Sequence, residues 1–323
     1  MAGSVLKASF EAATGIIQSL CVTKTENEET LTGTVLGALA TANAILSALS
    51  PPGGASAPKI YWGSYDKYQG KNKKLTEPGS GADFALLTLL DDNTSRLAIF
   101  QAKRGEYANG AWRADLNRIP KDPDRDPQIF VLAETAARLF AVAHGQNHKP
   151  RTFSEVLSIY ETTRCGVLAG HLDKAPFVHY LIYQPQAPRC IALPHLGEVY
   201  AKELDRETHV NAYKLPGKSK PFLDVLRNGV GTNTDGWLVM DPASAIAELP
   251  NLLPLVPVIV TDSRGEFGPL MKHDQDKDLA KTFAPLILAL GDQDLAQTIS
   301  AAKNGPGSAP PPPPPAFRTS RTK

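Results

Sequence analysis

Ala82-Asp83-Phe84-Ala85-Leu86-Leu87-Thr88-Leu89-Leu90, Asp91-Asp92-Asn93-Thr94-Ser95 and Arg96-Leu97-Ala98-Ile99-Phe100-Gln101-Ala102-Lys103 follow one another without a break, and this stretch decides the fold. Two strand-length apolar runs flank a cluster of turn-forming residues, which is the pattern of a β-hairpin. Asp83 opens the first strand. Gln101 and Lys103 stand two apart near the end of the second, so strand alternation turns both side chains to one face.

Upstream, Val5, Leu6, Phe10, Ile16, Ile17 and Leu20 predict a helix over 4–20. A second helix over 27–49 carries Leu31, Val35, Leu39, Ala42, Leu46 and Leu49 at spacings of three and four. Ser50-Pro51-Pro52-Gly53 closes it, since proline cannot continue a helix. Lys59-Ile60-Tyr61-Trp62 then leads into a polar, lysine-containing loop. Downstream, a polar stretch over 104–126 precedes a helix over 127–144. Strands are predicted over 177–183, 189–193, 236–240 and 256–260, with helices near 152–160, 197–206, 221–227 and 278–290. The order makes a mixed α/β chain. We divide it into a core over 1–200, an α/β extension packed on that core over 201–303, and a tail over 304–323. The tail, with Pro310–Pro315 and a basic end, is expected to be disordered or polyproline II.

Composition narrows the class without naming an activity. The chain has 323 residues, 42% hydrophobic and 21% charged, with 34 Lys and Arg against 33 Asp and Glu. Near-neutral charge excludes a polybasic coating protein, so any nucleic-acid contact must come from a local patch. Cys21, Cys165 and Cys190 are widely spaced and give neither a disulfide framework nor a paired metal motif. With no uninterrupted apolar run of about 18–20 residues and no basic, apolar start, the expectation is a reduced, cytoplasmic protein outside the membrane. A homo-oligomer is left open.

The hairpin can bring Asp83 beside Gln101 and Lys103. A carboxylate and a neutral oxygen donor can hold a hard divalent ion such as Mg²⁺, and an adjacent ammonium can offset charge developing on a phosphate. A second carboxylate is needed. Glu28 lies seven residues before Val35 and three before Leu31, on the side of the apolar stripe, whereas Glu29 is turned about 100° away. Glu28 is therefore the preferred helix acid and Glu29 the alternative. A helix-start acid favoured by the macrodipole explains Glu28 equally simply, and Asp83 alone reads as a turn residue.

Together, Glu28, Asp83 and Gln101-Ala102-Lys103 resemble the PD-(D/E)xK, or restriction-endonuclease-like, nuclease superfamily. The likeness is to its Mrr-like variants, in which glutamine replaces the acid of the (D/E)xK pair. Asn27-Glu28-Glu29-Thr30-Leu31-Thr32 is similar to the helix that carries the first acid there. Ala82 stands where the family has proline. The resemblance covers roughly 26–140 and implies a restriction-endonuclease-like core, a central mixed β-sheet flanked by helices. It further implies metal-dependent endonucleolytic cleavage of DNA with Mg²⁺, or Mn²⁺, and a use in bacterial restriction or anti-phage defence. Asp83, Gln101 and Glu28 would then bind the metal, and Lys103 would be the catalytic lysine. Two other readings fit the same residues: a catalytically silent nuclease-like binding or assembly module, and a nuclease toxin or effector. In the silent module, the Pro-rich tail could engage an aromatic-lined groove of a protein partner.

Remaining motifs read more plainly. His144 and His148 have the i, i+4 spacing of a zinc pair but lack its glutamate, and are expected to be solvated helix-end residues. The loop Gly229-Val230-Gly231-Thr232-Asn233-Thr234-Asp235-Gly236 lacks the Lys-Ser/Thr of a phosphate-binding loop and reads as a turn. Cys165 and Cys190 are expected in the core. Lys71, Lys73, Lys74, Arg104, Arg113 and Arg118 flank the site in sequence and could form a phosphate-tracking rim.

Overall fold

Helices α1 (Ala2–Thr23) and α2 (Glu28–Ala48) come first, followed by strand β1 (Lys59–Gly63). The two apolar runs form the hairpin of β2 (Phe84–Leu89) and β3 (Ser95–Ala108), with Phe84 opposite Phe100 and Leu89 opposite Ser95. These features come from a computed structural model, which describes residues 2–23, 26–48, 59–63, 81–90, 92–116, 126–163, 170–205, 213–214, 218–253 and 255–263. β3 does not stop at Lys103. It runs on to Ala108 and pairs with β4 (Ala111–Ala114), so part of the stretch expected to be polar loop is a second hairpin.

Helices α3 (Gln128–Ala143) and α4 (Phe153–Thr163) follow, then strands β5 (Val178–Tyr183) and β6 (Arg189–Ala192). A 3-10 turn (Leu193–Leu196) leads into α5 (Gly197–Leu204) and the two-residue strands β7 (Tyr213–Lys214) and β8 (Lys220–Pro221). The described chain ends with α6 (Phe222–Asn228), β9 (Leu238–Met240), α7 (Pro242–Ala247), α8 (Leu249–Leu252) and β10 (Val258–Asp262). The helix expected at 278–290 and the tail at 304–323 lie outside the described residues.

The strands form one open, mixed sheet in the order β1-β10-β2-β3-β5-β6-β8. β10 runs parallel to β2 and β5 parallel to β3, while β2–β3, β1–β10 and β5–β6 are antiparallel. β10 comes from the stretch read as an extension, yet it sits between β1 and β2, so the sheet draws strands from both sides of residue 200. β3 is the longest strand and has the most neighbours: β2, β5, β9 and β4.

Alternation along the strands splits the core between two faces. Phe84, Leu86, Phe100, Ala102 and Leu181 pack with Phe10, Ile17, Leu31, Val35 and Phe222 of α1, α2 and α6. Ala85, Leu87, Leu97, Ile99 and Ile182 pack with Ile129, Leu132, Val156 and Val199 of α3, α4 and α5. Helices thus cover both faces of the mixed sheet, an α/β architecture. Within α1, Val5–Val22 is long and apolar enough to cross a membrane by length and composition. Its Leu6, Phe10, Ala13 and Ile17 are buried in the protein, compatible with a core helix of a soluble chain.

His179 of β5 stacks on Phe100 at 5.4 Å between centroids and donates from Nε2 to the Gly236 carbonyl at 2.8 Å. That contact leaves Nδ1 as a buried acceptor with no partner among the described residues. Burial pushes His179 down from the ordinary 6.5 to about 4, against the opposing pull of the Gly236 bond. Between those values the unfolded chain binds the extra proton, so stability is lost as pH falls from 6.5 towards 4. From pH 7 to 4.5 this group alone should remove about 2–3 kcal/mol. Urea midpoints should therefore fall less steeply with acid in His179→Gln than in the wild type. Parallel pH profiles for the two proteins would contradict the assignment.

Candidate active site

The site grows from an unpaired strand edge. β2 begins at Phe84, opposite Phe100, while β3 continues beyond that point. Ile99 donates its N–H to Phe177 on the β5 side at 2.9 Å, so the amides of Ala102 and Arg104 face the side that β2 has left. A strand amide without a ladder partner takes another acceptor, which for buried Ala102 must come from the protein. Asp83 Oδ2 accepts from the Ala102 N–H at 2.6 Å, and Glu28 Oε2 accepts from the Arg104 N–H at 3.2 Å. Alternate amides on a strand are about 7 Å apart. Two carboxylates, one from the β2 entry and one from α2, are thereby seated in a row along β3.

Gln101 and Lys103 stand beside them, 1% and 6% exposed. Gln101 Nε2 donates to Asp83 Oδ2 at 2.6 Å and to the Ala102 carbonyl at 3.1 Å. Both partners are acceptors, which fixes the amide with its nitrogen towards them. Gln101 Oε1 is then left buried without a hydrogen-bond partner among the described residues. Lys103 Nζ lies 3.8 Å from Glu28 Oε1, with side-chain exposures of 7% and 32%. The structure therefore brings Glu28, Asp83, Gln101 and Lys103 to one edge. Glu29 is exposed.

Two local devices set the phase of α2. Asn27 caps the helix, its Oδ1 accepting from the Thr30 N–H at 2.8 Å. One turn after Glu28, Thr32 Oγ1 meets the Tyr183 hydroxyl at 3.1 Å, and Tyr183 is the β5 partner of Arg104. This buried bond fixes the helix rotation that delivers Glu28 to Arg104. Sequence reading did not single out Thr32, Tyr183, Tyr180 or Asp115. Burial holds the Tyr180 hydroxyl well above the ordinary tyrosine range, reinforced by the charges of Glu203, Asp83, Asp115 and Glu28. Asp115 is thus a further acid within electrostatic reach, supplied by the chain just after β4, and no spacing in the sequence marked it.

The other sequence candidates fall elsewhere. Arg104 is exposed and Arg113 half-buried on the β3–β4 hairpin, while Lys71, Lys73, Lys74 and Arg118 lie outside the described residues. The glycine-bearing loop is a turn gripped by buried Arg96, whose Nη1 donates to the carbonyls of Asn228 at 2.7 Å and Gly231 at 2.6 Å. His148 is drawn to Glu134 at 3.2 Å, and the same carboxylate meets His171 at 2.8 Å. His171 contacts the Tyr200 hydroxyl at 2.8 Å, so this chain ties α3 to α5 through the interior. Cys190 is buried, and Cys165 lies outside the described residues.

No family model, curated protein or solved structure matches this chain. The reading of the site rests on its own chemistry. Among the described residues no three His, Cys, Asp or Glu side chains form a metal-binding group. Asp83, Glu28 and Gln101 carry side-chain oxygens, the donor type that a hard ion takes.

Because Asp83 satisfies a buried amide, its removal should cost structure as well as any chemistry. Asp83→Ala leaves the Ala102 N–H unpaired and should lower stability by about 2–4 kcal/mol. Asp83→Asn retains an acceptor oxygen and should lose clearly less. Equal denaturation midpoints for Asp83→Ala and wild type would show that the carboxylate does not hold this edge.

Proposed function

We propose that this protein is a divalent-metal-dependent endonuclease that hydrolyses DNA phosphodiester bonds, on a restriction-endonuclease-like core. The observation that carries the reading is the strand edge where Asp83, Gln101, Lys103 and Glu28 meet, with a buried Gln101 oxygen that has no hydrogen-bond partner among the described residues. The order of acidic helix, strand with Asp, strand with Gln-x-Lys and following helix agrees with the resemblance drawn from the sequence.

Two carboxylates against one ammonium leave the cluster acidic, so a phosphodiester is repelled until a divalent cation reverses the local sign. Asp83, Gln101 and Glu28 would hold that cation, Mg²⁺ or Mn²⁺. When bound it polarises the phosphate and lowers the pKa of a coordinated water. Lys103, fixed by its strand and by Glu28, places a positive charge where negative charge accumulates as water attacks phosphorus and the ester oxygen departs. Restriction, phage defence and a toxin or effector role would all use this same chemistry.

One observation favours a second reading. Both carboxylates already accept backbone amides, as they would in a catalytically silent nuclease-like binding or assembly module. Supercoiled plasmid separates the two. The endonuclease should nick it with Mg²⁺ or Mn²⁺, stop in EDTA, and lose about 10²–10³-fold of its rate in Lys103→Ala. Glu28→Gln should impair cleavage far more than Glu29→Gln. A well-folded wild type inert with both metals would leave the silent module standing.

A further inference from the structure

The β3–β4 hairpin continues the strand that carries Lys103 and presents aromatic surface that the fold's core does not use. Tyr107 is 62% exposed, and its ring lies 5.5 Å from that of Trp112, its cross-strand partner, at an interplanar angle of 60°. Gly105 stands between Lys103 and Tyr107 on the same face of β3. A Cβ there would come within 3.0 Å of both the Tyr183 carbonyl and Ile182 Cγ2, and within 3.4 Å of Trp112 Cε3. The tight contacts are those to β5, and the indole edge packs at ordinary contact distance over this point of the strand. Lys103, the Trp112 ring and the Tyr107 ring therefore follow one another along one face, the outermost about 13 Å from the first.

A cavity of about 400 Å³ adjoins this array, lined in part by Glu26, Arg104, Glu106, Tyr107, Trp112 and Tyr183. It reaches the candidate active site through Arg104, whose amide holds Glu28. Its polar groups exclude one class of guest and suit another. Glu26 and Glu106 outnumber Arg104, so a phosphate is disfavoured inside it. Carboxylates do accept from the exocyclic amino groups of bases, and flat aromatic rings stack on any base.

Resting on the nuclease reading, we propose that this hairpin binds an unpaired nucleobase of the strand whose phosphate lies at Lys103. The base stacks on Tyr107 and Trp112 with its amino edge towards Glu26 of the cavity lining. The preferred substrate is then single-stranded DNA, or DNA with a base already out of the stack, over a fully paired duplex.

The test uses the full-length protein with Ca²⁺, a hard ion that offsets the acidic cluster while supporting cleavage poorly, a fluorescently labelled single-stranded 20-mer, of order 20 nucleotides to span the site, and the matching duplex. The single strand should bind more tightly than the duplex. Tyr107→Ala and Trp112→Ala should each weaken single-strand binding by about 5- to 150-fold, and Tyr107→Phe, which keeps the stacking ring, should bind like the wild type. Placing 2-aminopurine in the strand adds a direct readout, since its fluorescence should fall on binding and recover in Tyr107→Ala. Equal affinity for single strand and duplex, or no binding of either, overturns the proposal, as does wild-type affinity in folded Tyr107→Ala. Failure of the nuclease reading looks different: Tyr107-dependent binding persists, but no metal supports cleavage.

Discussion

The backbone of β3 is longer than the strand beside it, and that mismatch governs the rest of the molecule. A central strand exposes amides on both edges, and each must find an acceptor. On the β5 side the ladder supplies them from Ile99 to Arg104. On the β2 side pairing begins at Phe100, so Ala102 and Arg104 depend on Asp83 and Glu28. Satisfying the edge and assembling the acids are therefore one event. α2 must dock at a single rotation to place Glu28, and the Thr32–Tyr183 bond enforces it.

Edge capping alone would not place a lysine there. Lys103 is almost fully buried, and a buried ammonium is costly unless paired. Among the described residues its ion-pair partner is Glu28, 3.8 Å away and partly exposed, a loose arrangement for a purely structural pair. Gln101 Oε1, without a partner among the described residues, is a second cost, because an apolar residue would fill that space with no acceptor to satisfy. Both features become intelligible if the edge is completed by a cation and a phosphate.

Much of this was legible in the residues. The apolar runs around 91–95 gave the hairpin, and alternation gave the shared face of Gln101 and Lys103. The 3.6-residue period also separated Glu28 from Glu29 before any fold was known. The second hairpin was missed because Arg104-Gly105-Glu106-Tyr107 is polar on balance. Its signal was local: Asn109 and Gly110 have φ of 52° and 75°, the two-residue turn that Asn-Gly favours between paired strands. The insertion of β10 between β1 and β2 had no such signal, since strand order depends on long-range pairing that periodicity does not record. Thr32 and Tyr183 were likewise invisible, because tertiary placement, not spacing, brings them together beside the edge.

Putting acids, lysine and aromatic rings on or against one strand has a mechanical consequence. From Lys103 to Tyr107, β3 is paired with β5 as far as Arg104 and with β4 from Gly105 onward, so its side chains keep the strand repeat of about 3.3 Å per residue. In the proposed reading, the separation between Lys103 and the aromatic ring of Tyr107 is then set by backbone geometry. Charges held by backbone amides need little reorganisation as a reaction proceeds, which is where electrostatic catalysis gains most. The same rigidity links stability to chemistry at Asp83. Its charge-neutral replacement by Asn keeps much of the edge intact, so a loss of cleavage in that variant reports on the carboxylate's charge and not on a strand that has come apart.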